Sequence, residues 1–115
     1  MVTGALLLFV VAALLGGVLA GQALRDRLPS TGLALVHGAV AIAGLVLLGM
    51  VVSGAADTML LNDVLLLFGL TAAGGLLLFS FHLRRRNLPG PFILLHGAVA
   101  VISIAVLAVG YYGAR

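Results

Sequence analysis

Four long apolar runs, separated by short polar breaks, leave this chain few ways to fold. A helix needs about 20 apolar residues to cross the hydrocarbon of a bilayer, and each run has that length. In lipid every backbone amide must be satisfied within the protein, which leaves helices and closed barrels. The runs are continuous rather than alternating, so the chain is expected to be an all-α membrane protein, a four-helix bundle running up-down-up-down. The spans fall at about residues 2–24, 33–52, 61–83 and 92–112, in one membrane domain covering 1–115.

The composition agrees. Hydrophobic residues make up 63% of the chain and charged ones only 8%, with a mean hydropathy of +1.34. Soluble domains carry about 25% charged residues. The net charge of +3 does not indicate nucleic-acid binding. Its sources are arginines clustered in two short loops: Arg25 and Arg27 in one, Arg84, Arg85 and Arg86 in the other. Such clusters act as topology signals and lipid-headgroup contacts. Cysteine is absent, which excludes disulfides, thiolate catalysis and cysteine-ligated metals. The first run has no basic segment before it and is longer than a signal-peptide core, so it is expected to be a retained span.

The pentapeptide His37-Gly38-Ala39-Val40-Ala41 recurs as His96-Gly97-Ala98-Val99-Ala100, 59 positions later. Each copy follows an arginine loop and a Leu-Pro pair, Leu28-Pro29 or Leu88-Pro89. The chain therefore reads as two hairpins, 1–56 and 57–115, each a glycine-bearing helix, an arginine loop and a histidine-bearing helix. Two hairpins in series put both arginine loops on one side. The positive-inside rule makes that side the cytoplasm, with both termini outside, in what is expected to be a bacterial inner membrane. The repeats are then parallel, related by an axis along the membrane normal. Ala13, Gly17 and Gly21 in the first span, and Ala72-Ala73-Gly74-Gly75 in the third, are expected to be the faces on which helices close together.

His37 and His96 lie at matching depth, roughly 9 Å into their helices. Ala34, Ala41 and Gly44 share the face of His37, while Ile93, Ala100 and Ser103 share that of His96. Toward the membrane centre these neighbours are small, as a flat macrocycle between the imidazoles would require. Helices two and four form the diagonal of a square bundle, about 14 Å apart. Neutral imidazole is a normal axial ligand of haem iron, and bundle cores are frequent cofactor sites. His37 and His96 are therefore the candidate iron ligands for one haem b. Ala41, Gly44, Ala100 and Ser103 would line the slot, with Arg25, Arg27, Arg84, Arg85 and Arg86 near the propionates. A purely structural or proton-handling role for the pair stays open. His82, beside the arginines, is expected at the surface, with a propionate contact or an alternative ligand role as its functional option. Asp57 and Asp63 are expected in loops or caps. Met50 and Met59 lie toward the outer side, which argues against a mixed methionine–histidine copper site.

The four-helix layout and the two His-Gly-Ala-Val-Ala copies resemble the small membrane b-type cytochromes, broadly in the manner of the cytochrome b561 group. That resemblance implies one-electron transfer with quinone or another redox partner, and an oxidoreductase role if the chain turns over a substrate. Members of that group commonly hold two haems near opposite faces. This chain has one matched pair, so one haem is its ceiling. Two other classes remain: a small transporter and a cofactor-free assembly subunit. The chain has the length of the small multidrug-resistance transporters but lacks glutamate, the residue on which they depend. The lipid-facing glycines leave a homodimer open.

Overall fold

The computed structural model describes residues 2–25, 27–54 and 59–113. Asp57, expected in a loop or cap, lies outside the described residues. The chain folds as four helices: α1 (Val2–Leu24), α2 (Thr31–Gly54), α3 (Met59–Leu83) and α4 (Gly90–Gly113). All four are long and apolar enough to span a membrane. They pack into a bundle 45 × 20 × 18 Å, a length that matches a bilayer of about 40–45 Å including headgroups. The chain is an integral membrane protein.

Helix α1 packs on α2 and α4, and α3 packs on the same two neighbours. Among the described residues α1 and α3 make no backbone approach, and neither do α2 and α4, so these pairs face each other across the centre. Thr31 at the start of α2 meets His82 at the end of α3, and Gly90 at the start of α4 lies beside Leu24 at the end of α1. Both arginine loops therefore sit at one end of the bundle. At the other end the hydroxyls of Thr3 and Tyr112 join α1 to α4.

Helices α2, α3 and α4 each begin two residues earlier than the hydropathy suggests, and local chemistry explains α2 and α4. Ser30 caps α2: its Oγ accepts the Leu33 N–H at 3.3 Å and its carbonyl accepts the Ala34 N–H at 3.0 Å. Pro91 sits in the first turn of α4, where a missing N–H costs nothing. Helix α3 ends in a Schellman arrangement, with Arg86 N–H donating to the Phe81 carbonyl (3.0 Å) and Arg85 N–H to the His82 carbonyl (3.1 Å). This turn holds Arg85 at a φ of 53°, the left-handed conformation that glycine adopts at least cost.

The half of the bundle away from the arginines is an apolar core of Val2, Ala5, Phe9, Leu48, Leu61, Val64, Phe68 and Leu107. At its centre Phe9 of α1 and Phe68 of α3 stack across the diagonal, with ring centroids 3.8 Å apart and planes 7° apart. Gly44 of α2 presses on this stack, so that a Cβ there would lie 2.9 Å from the Phe9 ring. The outer surface is apolar too, with Leu14, Leu66, Leu76 and Val109 each more than 60% exposed toward lipid. Core and surroundings are equally apolar, so close packing rather than water exclusion holds the helices together.

Packing density therefore predicts stability better than hydrophobicity. Gly44→Ala should destabilise the fold by about 1–3 kcal/mol, because the stacked Phe9 ring cannot yield. Gly17→Ala, where a Cβ meets nothing within 4 Å, should be close to neutral. Unfolding in mixed detergent micelles measures both.

Candidate histidine site

The sequence brings a polar ring into the hydrocarbon twice, and a glycine meets it each time. His37 of α2 lies against Gly16 of α1, where a Cβ would be 2.9 Å from the imidazole Cε1. His96 of α4 lies against Gly75 of α3, where the same distance would be 3.1 Å. Gly16 and Gly75 are 59 positions apart, as are the two histidines.

The glycines do more than clear space. Side chains at i+4 crowd a helical carbonyl, and Gly16 stands four residues after Ala12. The bare turn exposes the Ala12 carbonyl oxygen, which accepts a hydrogen bond from His37 Nδ1–H at 2.7 Å. A carbonyl can only accept, so Nδ1 carries the proton, and in the neutral ring the lone pair belongs to Nε2. In the second half Gly75 stands four residues after Thr71. There the Thr71 carbonyl faces His96 without closing a hydrogen bond, and His96 Nδ1 is buried with no partner among the described residues.

The two imidazoles meet across the α2–α4 diagonal. Their ring centroids are 6.4 Å apart and their planes stand at 81°. Neither Nε2 forms a hydrogen bond among the described residues. No group of three or more potential metal ligands forms among those residues, so the pair stands without a third. The hydroxyls buried in the spans are satisfied by their own helices: Ser103 Oγ–H donates to the Val99 carbonyl (2.7 Å) and Thr71 Oγ1–H to the Leu67 carbonyl (2.9 Å).

The remaining sequence candidates separate. Ser103 and Ile93 are buried and Ala41 and Ala100 half-buried, as inward-facing neighbours of the histidines should be. Gly44 is buried too, but the Phe9 ring fills the space beside it, so it belongs to the apolar core. Arg25, Arg27, Arg84, Arg85 and Arg86 are all exposed at the bundle end nearer the histidines. His82 corrects the expectation of a surface residue. It is only 4% exposed, shares a 2.9 Å hydrogen bond with the Thr31 hydroxyl and stacks on Phe79 at 5.6 Å. Three arginines follow it from position 84, but helical periodicity turns it toward α2.

Comparison with known proteins gives no matching family model, no matching curated relative and no matching solved structure. The site must be read from its own geometry.

The first-span glycines divide. Gly17 and Gly21, expected on a packing face and, where exposed, at an interface with another subunit, meet nothing within the chain where a Cβ would stand. They face outward, where a homodimer would have to form. Gly16 is the one that carries the contact. Phe9 and Phe68, also 59 positions apart, form the other cross-bundle pair. Laying the chain over itself at that single offset would have found both.

Gly16→Ala should push the His37 ring off the Ala12 carbonyl and cost about 1–3 kcal/mol, the penalty for a buried polar group deprived of its partner. Nitrogen-15 correlation spectra of labelled histidine should show one fixed Nδ1–H tautomer for His37 in the wild type and its loss in this variant. Unchanged histidine signals would contradict the contact.

Proposed function

We propose that this chain is a small membrane cytochrome of b type, holding one haem b between His37 and His96 and serving one-electron transfer. The observation that carries this reading is the paired imidazoles, 6.4 Å apart across the bundle, with neither Nε2 hydrogen-bonded among the described residues. Ring nitrogens about 2 Å to either side of a shared metal put the ring centres roughly 6 Å apart. A structural zinc site wants more side chains than this pair offers. A macrocycle that brings its own equatorial nitrogens needs only two axial ones. The pair therefore offers the two nitrogen donors that such a group asks of the protein.

Haem bound here would supply reversible one-electron chemistry. The protein's part is to hold and orient. The Ala12 carbonyl accepts the Nδ1–H of His37, which fixes the tautomer and leaves the Nε2 lone pair as the ligand atom, as outer-shell acceptors do for metal-bound histidine. Ala41 and Ala100 keep the turn beyond each histidine slim. The arginines at the near end, Arg25, Arg27, Arg84, Arg85 and Arg86, would supply positive charge for the propionates. The apolar core around Phe9 and Phe68 seals the other end from water.

Three pairs, Phe9 with Phe68, Gly16 with Gly75 and His37 with His96, recur at one offset and support reading the chain as two copies of one hairpin. Contacts between equivalent residues lie on the axis relating the copies, so a ligand between the histidines would sit on that axis. With the arginine end in the cytoplasm of a bacterial inner membrane, electrons would enter or leave on that side, and a quinone in the bilayer is the partner within reach.

Titration of purified haem-free protein with haem, followed by absorbance, tests this. The wild type should take up one haem per chain. His37→Ala and His96→Ala should each weaken uptake at least tenfold, and His82→Ala should leave it unchanged. Uptake that survives either axial substitution at wild-type strength would overturn the assignment.

A further inference from the structure

A cleft of about 210 Å³ opens between the start of α2 and the end of α3, lined by Leu28, Thr31, His82, Leu83 and Arg85. It is several times the ~30 Å³ of a water molecule. Its walls divide by chemistry. Thr31, His82 and Arg85 present a hydroxyl, an imidazole and a guanidinium, while Leu28 and Leu83 are exposed apolar lips, 44% and 65% accessible.

We propose that this cleft seats the phosphate of an anionic phospholipid, with Arg85 as its charge partner and the glycerol and first methylenes against Leu28 and Leu83. Three observations meet here. The polar wall is built rather than incidental, because His82 is 4% exposed and tied to Thr31 at 2.9 Å. The charge is positive: the two loops at this end carry five arginines, Arg25, Arg27, Arg84, Arg85 and Arg86, against one acid, Asp26. Arg85 also occupies the left-handed position of the α3 cap, at a φ of 53°, where glycine would relieve the backbone. Of three consecutive arginines, the one carrying backbone strain is the one that lines the cleft, and strain of that kind is retained where a side chain has a task. Basic pockets between spans at the cytoplasmic end suit phospholipid headgroups. The apolar lips distinguish a lipid from free phosphate, which needs none.

The proposal does not rest on haem. The protein in dodecyl maltoside is titrated with phosphatidylglycerol, with phosphatidylcholine of the same chains and with inorganic phosphate, and adducts are counted by native mass spectrometry. Phosphatidylglycerol adducts should exceed phosphatidylcholine adducts at least fivefold. Arg85→Gln and Arg85→Gly should erase that preference, and Arg27→Gln should keep it. Arg85→Gly should also melt higher than the wild type in lipid-free detergent, which separates loss of binding from loss of fold. His96→Ala should retain the lipid whatever it does to haem. Equal retention of the two lipids would overturn the proposal, as would an equal effect of Arg27→Gln, the mark of a diffuse basic surface. Competition by inorganic phosphate at the lipid's own concentration would make free phosphate the ligand and overturn the lipid assignment.

Discussion

A polar ring buried in hydrocarbon must find its partners inside the protein, and this bundle faces that demand twice, meeting it fully for His37. Water is absent there, so an imidazole without an acceptor is costly. The protein's answer is a glycine four residues after a carbonyl. Gly16 both makes room for the His37 ring and uncovers the Ala12 oxygen that receives its proton. Gly75 makes the same room for His96 beside Thr71. Each neighbouring helix is thereby drawn to its histidine helix at one level, and that level fixes where the two rings meet.

The two halves are not equally satisfied. His37 is held by a hydrogen bond of 2.7 Å, whereas His96 Nδ1 is buried and unpartnered among the described residues. On the α1–α3 diagonal Phe9 and Phe68 stack closely, and Gly44 accommodates them as the other glycines accommodate the imidazoles. The bundle thus has two cross-braced levels: an apolar one that packs tightly, and a polar one with free ring nitrogens. Tight packing closes the first level to chemistry and leaves the second as the place where it can happen.

Much of this was legible in the sequence. The four spans, their number and their rough limits follow from run length alone, since nothing else in the chain competes with membrane insertion. The exact starts of α2 and α4 did not follow, because Ser30 capping and the tolerance of Pro91 in a first turn act at the scale of single residues. The histidine pair was found from its repeat. Its seat was not. The four-residue spacing of Ala13, Gly17 and Gly21 is a real helical face, but spacing cannot say which face turns inward, and Gly16 lies on the one that does. His82 was misjudged for a related reason, because a charged stretch in sequence does not fix the direction of each side chain at a helix end.

The most direct test of the two-histidine site is the electron paramagnetic resonance spectrum of the ferric, haem-loaded protein in detergent. Two imidazoles on one iron give a low-spin signal, and rings near the observed 81° should make it strongly anisotropic rather than the rhombic form of parallel rings. That spectrum is the result expected here. A high-spin signal, the mark of an iron bound by one histidine or by none, would contradict the account.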